Sequence, residues 1–306
     1  SVLPAAPAVI RATAAAAVPV ATAERAKLPA SGPLAAAAVV AEGQEPRVAL
    51  ELPDRLVIYK PPDWEVDDAV SEKETASGRR LSAYVRSHLA PRGSSVLRDP
   101  DRHCGFLHRL DVPSSGLILV AATYRAYYDL QAQLRTGRLA RIYDGLCHGW
   151  VLPCRAEIST RIRCPEDAPS SVRQEGRPAS TRIRCCMHAS RRGEAISLLQ
   201  LEIATGRRHQ IRVHLAHVGH PVLCDGRYGS TATRISDGDW CPRNALHRGR
   251  LAFLDGAGVA REAATGLPPD LSAVLAGLTA RAASSGGGPP GRDPVRESRG
   301  RGLRKK

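Results

Sequence analysis

Apolar positions fall in short groups separated by Pro, Gly and charged residues, and the spacing inside each group predicts its element. Val48 to Tyr59 reads as strand material, with Leu56-Val57-Ile58-Tyr59 as a continuous apolar run that Lys60-Pro61-Pro62 stops. Leu81, Val85 and Leu89 recur at a helical period, and Pro91-Arg92-Gly93 closes that segment. Gly116-Leu117-Ile118-Leu119-Val120 has the pattern of a buried strand. Thr123 is placed to cap a helix in which Tyr127, Leu130 and Leu134 share a face and Gly137 marks the end. From Arg141 to Ile203 the chain is mostly β, in runs such as Ile196 to Ile203 between turn residues. Two hexapeptides there, Ser159 to Cys164 and Ser180 to Cys185, are identical; two copies make similar strands, not a repeat architecture. A third helix runs through Ile211, Leu215 and Val218 and ends at Gly219. After about Pro269 the pattern decays. Three regions follow: 1–46, an Ala-rich low-complexity or transit-like segment; 47–271, one folded domain; and 272–306, a disordered Gly/Ser/Pro-rich basic tail.

Charge narrows the partners. A formal net charge of +14 over 306 residues favours a polyanion, because each neutralised phosphate releases counterions. An anionic membrane surface fits the charge alone equally well, but no apolar stretch is long enough to span a bilayer. The eight cysteines include no C-x-x-C pair, so a structural zinc site is not expected and reduced thiols in an intracellular compartment are. The chain begins at Ser1 and its single methionine is Met187, so a processed product or a fragment is expected. Residues 1–40 carry Arg11, Arg25 and Lys27 against Glu24, which fits the remains of an organellar transit peptide and a composition-biased linker equally. Mitochondrion or plastid therefore stands slightly ahead of cytoplasm or nucleus. The tail either adds nonspecific affinity for RNA or is simply solvated.

Three segments carry chemistry. In His108-Arg109-Leu110-Asp111-Val112-Pro113-Ser114-Ser115-Gly116-Leu117 an acid sits among turn residues just before a buried strand, where a carboxylate can be held at the rim of a sheet; alone, it is an ordinary turn acid. Thr205-Gly206-Arg207-Arg208-His209-Gln210-Ile211-Arg212 clusters cations at a helix start, which suits an anion, and Arg212 is able to pair bidentately with Asp111; alone, it is a basic exposed face. Tyr143 in Arg141-Ile142-Tyr143-Asp144-Gly145-Leu146 lies in a strand, core-facing with its hydroxyl at the edge.

Together these segments resemble the RluA-type family of pseudouridine synthases. The family's H-R-L-D, two variable residues, S/T-S-G-L and an apolar strand is matched by His108 to Val120. Its T-G-R-x-H-Q-I-R-V-H-L-A-x-x-G-H-P-x-x-x-D-x-x-Y-G is matched by Thr205 to Gly229. Weaker landmarks follow in order: the opening strand and K-P turn at Leu56 to Pro61, the active-site Tyr at Tyr143, the A-x-T strand at Pro178 to Thr181 and the late L-H at Leu246-His247. The departures are Arg208 for a common Thr, Cys224 for a smaller residue, and His148 and Arg248, atypical for their segments.

The resemblance, over roughly Val48 to Leu271, implies an α+β fold: a mixed, mainly antiparallel sheet with flanking helices and a central RNA-binding cleft. It implies isomerisation of specific uridines in rRNA or tRNA by a monomer without metal or organic cofactor. By correspondence Asp111 is catalytic, Tyr143 packs on the target base and Arg212 pairs with Asp111. Arg109, Arg207, Arg208 and His209 are assigned to RNA. An N-terminal S4 RNA-binding domain, common among relatives, cannot be built from the Ala-rich segment, so substrate selection falls to the core, the tail or a missing portion. Asp111 could attack C1′, take a proton on a glycal route, or add to the base, and the sequence leaves these open. Two rivals remain: a noncatalytic RNA-binding protein on the same fold, and a metal-dependent hydrolase using His214, His217 and His220. The second lacks H-E-x-x-H, and Gly219 breaks the helix before His220.

Overall fold

A computed structural model describes residues 44–66, 79–89 and 95–281. The Pro91-Arg92-Gly93 stop, the first 43 residues and residues 282–306 lie outside the described residues.

The apolar run near the start folds back on itself. It forms β1 (Arg47–Glu51) and β2 (Arg55–Lys60), an antiparallel hairpin where the sequence suggested one stretch of strand. Every residue of β2 is buried, Arg55 included, because its guanidinium is neutralised by Asp54 at 2.7 Å and Asp129 at 2.8 Å. The helix expected on Leu81, Val85 and Leu89 is α1 (Leu81–Leu89). The GLILV run becomes β3 (Ser115–Ala121), wholly buried. Thr123 caps α2 (Tyr124–Arg135) by accepting the Ala126 N–H at 3.1 Å.

The β-rich middle consists of β4 (Ala140–His148), β5 (Glu157–Arg163), β6 (Ser171–Val172), β7 (Arg177–Arg191) and β8 (Glu194–Ile203). The two identical hexapeptides begin on β5 and β7 and meet across an antiparallel ladder, Ser159 opposite Ser180. The remaining elements are α3 (Gln210–His217), α4 (Thr231–Gly238), β9 (Leu246–Leu254), β10 (Ala260–Ala264), α5 (Pro269–Ala276) and β11 (Thr279–Ala280). The domain boundary read at residue 271 is therefore too early. Leu271, Val274, Leu275 and Leu278 are buried, and β11 pairs with β7, so order reaches at least Arg281. Leu271, Val274, Leu275 and Leu278 do recur at a helical period, but over only two turns, and nothing local says that so short a helix packs on the core.

All eleven strands join one sheet in the order β1-β2-β3-β9-β4-β8-β7-β5-β6, with β10 beside β9 and β11 beside β7. Every pairing is antiparallel except β3 with β9. This is the mixed, mainly antiparallel α+β sheet expected. The parallel contact is short, Ser115 opposite His247 and Gly116 opposite Arg248, and it brings the Asp111 turn against β9. Gly116 has φ +126, and a side chain there would strike the Arg248 backbone, so the close approach depends on glycine. No helix among the described residues is long and apolar enough to cross a membrane.

Candidate active site

The Asp111 turn is held from several sides. Its own closure is Ser114 N–H to the Asp111 carbonyl at 3.0 Å. Lys60, fully buried at the end of β2, donates to the carbonyls of Pro61 (3.0 Å), Trp64 (2.7 Å) and Val112 (3.0 Å). Burial, with Arg243 nearby, lowers the Lys60 ammonium to about 7. Arg243 donates to the Pro113 carbonyl (3.1 Å) and the Ser115 hydroxyl (2.9 Å), and is itself gripped by Asp270 of α5 (2.6 Å). The residues that follow the carboxylate are thus fixed to β2, to the segment before β9 and, through Arg243, to α5.

Asp111 opens onto a cleft of about 610 Å³ lined from the 103–114 segment, from β4 and β9, and from the loop leading into α3. Among the described residues one acid, Asp111, lines this cleft against seven arginines. The Asp111 Oδ2 accepts from Arg212 Nη1 at 2.7 Å. The bidentate fork expected between these two is instead spent on Asp225, through Nε and Nη2 at 2.7 Å each. Asp225 sits in a turn whose Arg227 and Tyr228 N–H groups also donate to it, so it is aligned to take the edge of the guanidinium. Burial alone would lower the Arg212 guanidinium; Asp225 and Asp111 outweigh it and raise it. The Tyr228 ring lies 5.2 Å from the Arg212 guanidinium carbon, and its hydroxyl is 2.8 Å from His209 Nδ1.

His209, the residue just before α3, adopts a left-handed conformation, φ 58. That conformation brings its Nε2 to 3.8 Å from the Asp111 carboxylate. The residue assigned to RNA thus belongs to the immediate surroundings of Asp111. Burial first, then Arg212 and its basic neighbours, lower its imidazole to about 4. Arg207 also lines the cleft and donates to the Pro178 carbonyl at 3.3 Å. Arg208 spends its guanidinium on the 165–170 loop, through the Ala168 carbonyl (2.7 Å), the Ser170 hydroxyl (3.3 Å) and the Pro165 carbonyl. The Arg109 side chain is exposed, and its carbonyl accepts from Arg248 at 3.1 Å.

Tyr143 lines the cleft from β4, but its hydroxyl is not at an edge: it accepts from Arg248 Nη2, and the Arg248 guanidinium lies 4.9 Å from its ring centre. Between Ile142 and Asp144 the β4–β9 register slips, leaving an extra residue on β9, which turns Arg248 inward. The three histidines of the hydrolase reading diverge. His214 meets Thr181 (2.9 Å), His220 meets the His148 carbonyl (2.9 Å) and His217 is exposed.

A family model described as RNA pseudouridylate synthase matches residues 54–217, just over half of the chain. The chain belongs to this family. The resemblance read from the motifs is borne out. Among relatives, a ribosomal large subunit pseudouridine synthase D of Nitrosomonas europaea is 34% identical over 203 residues, 65% of this chain and 56% of that protein. An RNA pseudouridine synthase, YlyB, of Bacillus subtilis is 31% identical over 217 residues, 70% of this chain and 66% of that protein. The chain spans about half the length of the curated relatives it matches first. In fold it resembles human RNA pseudouridylate synthase domain containing 1, with a TM-score of 0.60 and 24% identity, covering 79% of this chain and 92% of that one.

The histidines in and behind this family site set a pH dependence. Burial holds His108 well below the ordinary imidazole value of 6.5, His214 at about 4 and His247 at about 3, alongside His209 at about 4. Below 6.5 the unfolded chain binds protons that the folded chain refuses, so stability falls with pH until the folded values are reached. The melting temperature is expected to drop by at least about 5 °C between roughly pH 7.5 and 5. A flat profile over that range would show that these imidazoles protonate in the folded protein.

Proposed function

We propose that the chain isomerises specific uridines in structured RNA to pseudouridine, with Asp111 as the catalytic carboxylate, Arg212 as its orienting partner and Tyr143 as the surface on which the target base packs. The observation that carries this reading is the Asp111–Arg212 pair, 2.7 Å apart, with Asp111 the one acid among the described residues of an arginine-lined cleft. The reaction breaks the C1′–N1 bond and makes a C1′–C5 bond in the same nucleotide. Nothing is oxidised or reduced and no group is lost, so no organic cofactor is required. The two carboxylates of a glycosidase are not the arrangement here, because Asp225 is fully occupied by Arg212 and two backbone N–H groups.

A stacked base has to leave its helix to reach Asp111. Unstacking costs on the order of a few kcal/mol. Packing on Tyr143 offsets about 1–3 kcal/mol of that. Arg109 and Arg207 at the mouth would take the flanking phosphates, and their contribution would weaken as salt rises. The Nitrosomonas europaea relative bears ribosomal large subunit in its name, which favours rRNA over tRNA as the substrate.

Pseudouridine mapping on total RNA from cells lacking the protein tests this. Discrete sites should vanish and return with the wild-type chain but not with Asp111→Ala. If no site changes, or Asp111→Ala restores them all, the chain is an RNA-binding scaffold on this fold.

A further inference from the structure

Two arginines at the floor of the cleft pair with no carboxylate among the described residues. Arg141 stands two positions before Tyr143 on β4, so strand alternation puts both side chains on the cleft face. It is 4% exposed. Its Nη2 donates to the carbonyls of Ala204 (2.9 Å) and Ile203 (3.4 Å). Its Nε is buried without a partner, and its Nη1 is turned toward the backbone at Gly206 on the cleft wall. Arg248, 1% exposed, binds His108 Nδ1 (2.7 Å), the Leu117 carbonyl (3.1 Å), the Arg109 carbonyl and the Tyr143 hydroxyl. None of these partners is a carboxylate, and the one acid among the described residues of the cleft is already paired with Arg212.

Burying a cation without a counter-ion is costly. Here the cost is visible in Arg141: burial first, and then Arg248, lower its guanidinium to about 10, with Tyr143 acting the other way. A fold that keeps such a group beside Tyr143 gains most when negative charge arrives there. The RNA backbone is a poor candidate for that charge, since a guanidinium so deeply buried is out of reach of phosphates running along the mouth. A flipped base packed on Tyr143 is within reach.

We propose that Arg141 is a further catalytic residue, whose open N–H groups stabilise the negative charge that develops on the uracil ring as it detaches from the ribose. This inference rests on the uridine-isomerising reading. The C1′–N1 bond breaks with its electron pair passing to the base, which becomes a uracil anion with charge on N1, O2 and O4. C1′ is left electron-poor, to be relieved by Asp111 or by loss of the C2′ proton. After the ring turns, C5 bonds to C1′, its hydrogen leaves as a proton, and N1 takes up a proton. Charge is largest at the moment of detachment, when a preorganised buried donor is most effective. Arg248 does not touch the base in this scheme; it holds Tyr143 and the His108–Arg109 segment in place.

The test compares wild type, Arg141→Gln and Arg141→Lys on an RNA found by the mapping above, with uridine or 5-fluorouridine at the target. Fluorine at C5 makes the ring a better leaving group, so less help is needed. Cleavage is read as disappearance of the N-linked nucleoside after nuclease digestion and mass spectrometry. For Arg141→Gln on uridine, kcat should fall on the order of 100-fold or more with KM within a few-fold. On 5-fluorouridine the loss should shrink to about tenfold or less, and Arg141→Lys should recover most of the rate because it restores a cation. Equal losses on both substrates would mean that Arg141 only braces the Ile203–Ala204 segment, and an unchanged rate would mean it is idle; either overturns the proposal. If the wild-type chain forms no pseudouridine in any RNA, the parent reading has failed, which is a different result from an active wild type with an active Arg141→Gln.

Discussion

Asp111→Asn is expected to reduce pseudouridine formation at least about 10⁴-fold, the scale seen when a residue central to covalent catalysis is removed. The substitution keeps the shape of the side chain and removes its capacity to act as nucleophile or base. Whichever of the three routes Asp111 takes, each needs the carboxylate. The fold should survive, for a reason specific to this site. Arg212 keeps its two bonds to Asp225, so losing Asp111 does not strand a buried cation without an anion. The Asp111 side chain is also 18% exposed, so an amide there remains in contact with water. Affinity for the RNA should stay within a few-fold, measured by filter binding beside single-turnover rates. Retention of a tenth or more of the wild-type rate would remove Asp111 from the chemistry.

Asp225→Asn is expected to do the opposite, damaging stability and activity together. Asp225 is 2% exposed and accepts from two nitrogens of Arg212 and two backbone N–H groups. Burial would raise its carboxyl; the Arg212 guanidinium outweighs that and holds it below the usual carboxylate range. Asparagine supplies one acceptor oxygen and no charge, so Arg212 loses the bidentate, charged partner of its buried edge and keeps Asp111 as its one counter-ion among the described residues. Breaking one side of a buried pair costs about 3–5 kcal/mol. Urea unfolding should report a loss of that size, and the released guanidinium should let the Asp111 carboxylate rotate, lowering kcat further in the protein that still folds. A change under about 1 kcal/mol would mean that Arg212 is held by Asp111 and Tyr228 instead.

These two variants divide the site into parts that were and were not visible beforehand. Asp111, Arg212 and Tyr143 were legible only through the family resemblance of their segments taken together, since alone they read as a turn acid, a basic helix face and a core tyrosine. The structure brings all three to one cleft. Asp225 and Tyr228 lay inside the same matched run and were not separated from it, since 13 positions of spacing say nothing about which side chain grips the guanidinium. Lys60 was read only as the residue that stops a strand. Its Nζ in fact ties that stop to the Val112 carbonyl next to Asp111. Arg248 was noted only as atypical, and Arg141 only as the start of a strand. Strand alternation sets Arg141 on the face of Tyr143, but Arg248 joins them through the irregular β4–β9 register, which no local pattern encodes.

Local pattern by itself determined where the buried strands and helices run, because alternation and 3.6-residue spacing are properties of neighbouring residues. It fixed β3, the Thr123 cap on α2, and the end of α3 at Gly219. Tertiary structure alone decided the strand order and the short parallel contact between β3 and β9. It also decided the folding of residues 272–281 onto the core and the choice of Asp225 over Asp111 for the arginine fork. The reason is the same in each case. A pairing between residues far apart along the chain is selected by burial and charge in the assembled protein, where a guanidinium turns its paired edge to whichever carboxylate lies in its plane.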